Sequence, residues 1–385
     1  MKLGIPKETY PGERRVAMVP AHLAALAKQG ITVLVESGAG VAAGYPDSAF
    51  SEKGAQIVPD RQAIFAQSDV VAMVRAAGSN PNGAGDYPLL RADQTLVAFL
   101  DPLVKPGEAE VLAKTGAQAF SMELIPRTTK AQSMDALSSM ANLAGYRAVL
   151  MAADAAPRIL PMMTTAAGTL TPAKVLVLGV GVAGLQAIAT AKRLGASVEA
   201  YDVRPEVREQ VQSVGGKFVD LGLDTSGMSG QGGYAKEQSA DFIARQQEAL
   251  AQFVRAADIV ITTAQIPGRR APVLVTAAMQ KGMKPGSIVV DLAAETGGNC
   301  ELSNPGEVAV IDGVTMLAPI NLASTMAFHA SQLYAKNIVN FLLYMTTKEG
   351  LFSPKDDDDI VRDTRVTRGG AVVHSRVLGA LAPKA

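Results

Sequence analysis

Cysteine occurs once in this 385-residue chain, as Cys300, and tryptophan is absent. A lone thiol cannot close an internal disulfide, which fits a reducing, cytoplasmic setting. Aromatic residues are 5% of the chain against 48% hydrophobic residues overall, so the core must be assembled from Ala, Val, Leu, Ile and Met. No charge is in excess: 36 Lys and Arg face 36 Asp and Glu. That balance leaves no electrostatic footprint for nucleic acid or for an anionic membrane surface. The start of the chain lacks the apolar stretch of a signal peptide. The longest uncharged run, 175–191, approaches the ~20 residues of a membrane span. It carries three turn glycines, however, and changes from strand to helix within itself. Residues 333–345 are interrupted by Lys336, Asn337 and Asn340 and read as an amphipathic helix. No membrane crossing is expected. Metal-ligand spacings are missing, and the three histidines, His22, His329 and His374, fall on two expected helices and the tail.

Against these absences stands one strong local pattern. Residues 174–184 read KVLVLGVGVAG, and Asp202 follows eighteen residues after the last glycine. The run 175–178 reads as a buried strand, and residues 185–194 continue as a helix. Gly179 permits a tight turn, Gly181 lets the backbone approach a pyrophosphate, and Gly184 lets helix and strand pack closely. The helix N-terminus offers free N–H groups and a positive dipole end to that phosphate. Asp202 ends a second strand, 197–201, where a carboxylate accepts both ribose hydroxyls and repels a 2′-phosphate, so NAD(H) is favoured over NADP(H). Arg204 is expected along the adenosine or paired with a neighbouring acid. An arginine there can also take a 2′-phosphate, but Asp202 at the strand end should dominate. A glycine-rich turn without a ligand is the competing reading. The agreement of strand, turn, helix and acid weighs against it.

The first 120 or so residues alternate strands, expected at 2–6, 32–36, 55–58, 70–74, 95–99 and 117–122, with helices at 20–29, 61–65 and 107–114. Such alternation indicates a parallel sheet covered on both faces. Residues 79–86, SNPNGAGD, read as a surface turn. Helices over 133–156, capped by Ser133, and over 323–346 are expected to carry the chain from a first domain to a second and back. Later strands are expected at 259–263 and 288–292. The acidic run 356–359 reads as solvated, and a short strand or hairpin is expected around 365–374. The expected fold class is therefore α/β: two doubly wound parallel-sheet domains joined by long crossover helices, 1–136 plus 320–385 and 137–319. A cleft between them would be the usual place for a cofactor.

Three further segments carry polar chemistry. In 127–138, Arg127, Gln132, Asp135 and Ser138 fall within twelve residues. Gln132 and Ser138 can hydrogen-bond a nicotinamide carboxamide, and Asp135 can orient Arg127. A capped helix start beside a surface arginine accounts for the same residues equally well. The glycine-rich stretch 224–237 is long enough to be a functional loop, with Tyr234 as a lid, or an ordinary surface loop. After the strand at 259, Ala264 and Gln265 are placed to touch the ribose or nicotinamide side of a dinucleotide, and 293–300 (AAETGGNC) follows the next strand. Thr128, Val182, Ala183, Val203 and Gly233, neighbours of these motifs, complete the candidate cofactor contacts. A dehydrogenase acting on an alcohol or amine must move a proton as well as a hydride. No acid/base is evident near these loops. Hydride transfer between two nicotinamides needs only two rings held face to face with water excluded.

Taken together, MELIPRTTKAQSMDALSS, NLAGYRAV, PMMTTAAGT, VLGVGVAGLQAIATAKRLGA, GGYAKE, ITTAQIPGRRAPVL and VVDLAAETGGNC make a specific set. The chain resembles the NAD(H)-binding soluble component (domain I, or alpha-1 subunit) of proton-translocating NAD(P) transhydrogenases. The resemblance implies two Rossmann-like domains, a homodimer, and NADH bound at the second domain. It implies that Arg127, Gln132, Asp135 and Ser138 form the nicotinamide-side cluster. It further implies a separate NADP(H)-binding component and a membrane-spanning, proton-conducting component, which would hold this chain at the cytoplasmic membrane. Gln238, after GGYAKE, stands where that family has Met. The related alanine dehydrogenases share a start like PKE…GERRVA, and Arg15 fits their substrate arginine. Their pattern calls for a lysine where Arg75 stands and a histidine where Asp101 stands, so amino-acid oxidation is not expected. A nucleotide-binding regulator without turnover is a third reading, and it requires 127–138 to be purely structural.

Overall fold

Val70–Arg75 and Thr95–Phe99 are apolar at almost every position, the pattern of strands covered on both faces. Both are buried along nearly their whole length in the computed structural model of the chain. The structure describes residues 1–225, 227–228, 230, 235–236, 238–266 and 268–382. It divides into two units, Met1–Met140 with Ala323–Ala385, and Ala141–Leu322.

The first unit opens with β1 (Lys2–Ile5), β2 (Thr32–Glu36), β3 (Gln56–Val58), β4 (Val70–Arg75), β5 (Thr95–Phe99) and β6 (Gln118–Ser121), all paired in parallel. Helix Arg61–Gln67 starts where the Asp60 carboxylate accepts from the Ala63 N–H at 2.8 Å, and helix Pro106–Lys114 starts on a proline. The segment 79–86 is a surface turn only in part: Pro81, Asn82, Ala84 and Gly85 are exposed. Ser79, Asn80 and Asp86 are buried, and Asp86 takes Arg61 side-on at 2.5 and 2.6 Å. A remote arginine, invisible to local pattern, draws this polar stretch inward.

Helix Ala136–Ala155 spans the boundary between the units. It starts three residues later than expected. Asp135, not Ser133, caps it, accepting from the Ser138 N–H at 2.8 Å. Ser133 instead offers its carbonyl to Asn337 and Asn340.

In the second unit, a small antiparallel hairpin, β7 (Met163–Thr165) and β8 (Gly168–Leu170), precedes a sheet of β9 (Lys174–Leu178), β10 (Ser197–Tyr201), β11 (Lys217–Phe218), β12 (Ile259–Thr262), β13 (Ile288–Asp291), β14 (Val308–Ile311) and β15 (Val314–Leu317). The sheet order is β11-β10-β9-β12-β13-β15-β14, parallel except for β14. Val175, Val177, Val198, Ile259 and Val290 face one side with Ala187 and Ile188 of helix Val182–Arg193. Leu176, Leu178, Val260 and Val289 face the other with Leu250 and Val254 of helix Ala240–Ala256. Strand order reverses between β9 and β12, the switch point at which open α/β sheets bind ligands.

Helix Ala327–Tyr344, preceded by a turn at Leu322–Met326, returns the chain to the first unit. The tail adds β16 (Arg365–Arg368) and β17 (Ala371–Val372), giving the order β17-β16-β6-β5-β4-β1-β2-β3. Stripped of edges, both sheets follow one plan, third-second-first-fourth-fifth-sixth. The acidic run is not simply solvated. Asp356 pairs with Arg365 and Arg368 at 2.7 and 2.6 Å, and Asp358 caps helix Asp359–Thr364. Among the described residues no helix is long and apolar enough to cross a membrane.

Candidate dinucleotide site

The glycine turn sits at the switch point of the second unit. Gly179 follows β9 with φ +94°, a conformation that L side chains rarely adopt, and its N–H donates to the Tyr201 carbonyl at 2.9 Å. A Cβ on Gly184 would lie 2.0 Å from the Gly179 carbonyl oxygen, so only glycine lets helix Val182–Arg193 close on the turn. A Cβ on Gly181 would meet nothing within 4 Å. The backbone there faces open space, as approach of a pyrophosphate to the helix N-terminus requires. Val182 and Ala183 form the first turn, half-buried.

Asp202 lies just past β10 and is 8% exposed. Its oxygens accept from the Val180 N–H at 2.7 Å, the Arg204 N–H at 2.9 Å, and Arg204 Nε and Nη2 at 2.8 and 2.7 Å. The arginine's acid is thus Asp202 itself. Val203 points into the core. Across the switch point, Thr263 donates to the Gly179 carbonyl at 2.9 Å. Both backbone groups of Ala264 are taken by the Asn299 side chain, each at 2.9 Å. Gln265 is exposed, its amide on the Leu292 carbonyl. Buried Asp291 fixes this arrangement, accepting from the Thr262 hydroxyl and the N–H groups of Ala293, Asn299 and Cys300. Sequence reasoning missed Asp291, whose signal was an acid at the end of an apolar strand, and named Asn299 only as part of 293–300, without its hold on Ala264. It also missed Gly145, where a Cβ would lie 2.1 Å from the Ala183 carbonyl oxygen. Gly233 and Tyr234 lie outside the described residues.

In the first unit, the structure gathers three of the four residues expected to work together. The Asp135 carboxylate receives the Ser138 hydroxyl at 2.5 Å and stands 3.8 Å from Arg127 Nε. Thr128 accepts at its carbonyl from the Gln132 N–H at 3.0 Å, and Gln132 itself is exposed in a short turn, Gln132–Met134.

Comparison with known proteins bears on what this scaffold serves. The family "Alanine dehydrogenase/PNT, N-terminal domain" matches residues 4–144, and the corresponding C-terminal domain matches 148–375. Over 383 residues the chain is 47% identical to an NAD(P) transhydrogenase alpha-subunit polypeptide of Rhodospirillum rubrum, covering 98% of this chain and 99% of that protein. This chain belongs to the NAD(P) transhydrogenase alpha-subunit family. A transhydrogenase structure from Sinorhizobium meliloti superposes with a TM-score of 0.83 at 43% identity, over 97% of this chain and 99% of that one. An L-alanine dehydrogenase structure superposes with 0.79 at 25% identity, over 99% of both chains.

Arg15 and Arg75, the arginines that bear on the amino-acid dehydrogenase reading, are both engaged within the first unit. Arg15 is 3% exposed, and its fork is held by Glu13 at 2.8 and 2.7 Å. Arg75 lies 4.4 Å over the Tyr10 ring, with Nε 3.8 Å from Glu13. Beneath them Glu8 accepts from the Val74 and Arg75 N–H groups, and burial, reinforced by Glu13, pushes its carboxyl up to about 8. Glu123 accepts from Leu100, Asp101 and Ser121, and burial with the nearby Asp101 raises it to about 7. The histidines are accounted for by structure: His22 bonds the Gln332 carbonyl, His374 caps helix Ser375–Leu381, and His329 is exposed.

Proposed function

We propose that the chain binds NADH on the second unit and passes its hydride to NADP⁺ carried by a separate component, with a membrane-spanning partner coupling the exchange to proton movement. NADH is then a substrate, supplying the hydride. The observation that carries the reading is the Gly179–Gly184 turn with Asp202 fixed beside it: open backbone for the pyrophosphate and an acid for the ribose. Family membership at 47% identity supports the transhydrogenase reaction. In this reading Arg127, Gln132, Asp135 and Ser138 orient the nicotinamide, Ala264 and Gln265 border its ribose, and Tyr234 covers the nucleotide. Nothing in that set needs to shuttle a proton. The chain works as a homodimer and reaches the membrane only through its partners.

Alanine oxidation is the weaker alternative, although that enzyme shares the fold. A substrate carboxylate would have to take the Arg15 fork from Glu13 and leave that carboxylate, whose side chain is 0% exposed, short of its closest cation, which is unfavourable. The test uses the purified full chain. It should bind NADH, catalyse no alanine-dependent NAD⁺ reduction, and exchange hydride between NADH and NADP⁺ only when an NADP(H)-binding transhydrogenase component is added. Alanine-dependent turnover by the chain alone would refute the proposal.

A further inference from the structure

We infer, on the basis of the dinucleotide reading, that Arg204 is a latent 2′-phosphate receptor silenced by Asp202. The one carboxylate then sets specificity twice, by repelling the phosphate and by sequestering the arginine that would bind it.

A carboxylate offers about four acceptor positions, and all are used here. The Val180 and Arg204 N–H groups, at 2.7 and 2.9 Å, pin its orientation. The guanidinium takes the rest side-on, Nε on Oδ1 at 2.8 Å and Nη2 on Oδ2 at 2.7 Å. A ribose with two free vicinal hydroxyls needs those same two places, one donor to each oxygen. The diol must therefore displace the guanidinium rather than join it, while the two backbone donors stay. The side chains are 14% and 7% exposed, so water competes little for the pair.

The guanidinium fork fits phosphate as well as it fits carboxylate. A nucleotide carrying a 2′-phosphate has no hydroxyl to donate there, and it meets the carboxylate with the arginine's fork already taken. Remove the carboxylate charge and Arg204 loses its bidentate partner at the very place where the phosphate would lie.

The experiment titrates the full chain with NADH and NADPH, followed by nicotinamide fluorescence. The variants are Asp202→Asn, Asp202→Ala, and each combined with Arg204→Ala. Asn keeps an oxygen for the Val180 N–H, so the turn survives even if the Ala variant is destabilised. Either single change should weaken NADH and tighten NADPH by about tenfold, the scale of one charged hydrogen bond. Adding Arg204→Ala should erase the NADPH gain, and high salt should diminish it in the single variants. A double variant that retains the gain would mean that only repulsion had been removed, and would overturn the inference. So would single variants without any gain, provided the parent binds NADH. A parent that binds neither nucleotide sinks the dinucleotide reading itself, and this inference with it.

Discussion

At the scale of single residues, Asp135 carries two separable tasks. It caps helix Ala136–Ala155 through the Ser138 N–H and faces Arg127 across 3.8 Å. Asparagine caps nearly as well as aspartate, whereas alanine forfeits about 1 kcal/mol. Asp135→Ala should therefore lower stability by about that amount in thermal or urea unfolding, and Asp135→Asn should leave it near the parent value. If the carboxylate also orients Arg127 toward the nicotinamide, both variants should slow hydride transfer in the presence of the NADP(H)-binding component. A full-speed Asn variant would reduce Asp135 to a cap. Gln132, exposed beside this cap, has no comparable structural duty. Shortening it by one methylene in Gln132→Asn should depress hydride transfer far more than NADH affinity, because ring alignment matters more to transfer than to binding. Equal losses in the two assays would make it an ordinary binding residue.

At the scale of elements, the contact between helix Ala136–Ala155 and helix Val182–Arg193 decides how the N-terminal end of the latter is held. Replacing Gly145 by alanine would gain about 1 kcal/mol of helix propensity if nothing touched it. Its Cβ, however, would stand 2.1 Å from the Ala183 carbonyl oxygen, which is backbone and cannot rotate aside. Overpacking of this kind costs about 1–3 kcal/mol, so the clash outweighs the propensity. Gly145→Ala should lower the unfolding free energy and weaken NADH binding together; a stabilised variant with unchanged affinity would contradict the close approach. A glycine inside an otherwise alanine-rich helix was the one local sign of that approach, and it was passed over in the sequence. The parallel strands were readable for the same kind of reason, since a fully covered strand must be apolar throughout. Partners distant in sequence were not. Nothing local to SNPNGAGD announces Arg61, and nothing in the acidic run announces Arg365 and Arg368. The cap fell to Asp135 rather than Ser133 because the chain makes a tight turn first, with the Met134 N–H donating to the Ala131 carbonyl at 2.8 Å. The glycine signature was legible because each residue acts on its immediate neighbours; the hold of Asn299 on Ala264 spans two strands and was not.

At the scale of the whole molecule, two sheets of one strand order have been filled differently. The first unit buries carboxyl groups that the proposed chemistry does not use, and they tie its stability to pH. Glu8 is raised from 4.5 to about 8, chiefly by burial and then by Glu13, against the lowering effect of the Val74 and Arg75 N–H groups. Glu123 is raised to about 7, chiefly by burial and then by Asp101. A carboxyl whose folded pKa exceeds its unfolded one binds its proton more tightly in the folded state. Its contribution is complete below about pH 4.5 and is lost as pH rises through 7 to 8. Glutamine keeps the shape of protonated Glu8 and cannot ionise. Calorimetry from about pH 5.5 to about pH 9 should show the parent Tm falling more steeply than that of Glu8→Gln, with the variant the more stable of the two at the alkaline end. The other titrating groups are common to both proteins, so the divergence isolates this one carboxyl. Curves that run parallel across the window would mean that Glu8 does not change its charge there, and that its buried surroundings do not hold the proton as the geometry requires.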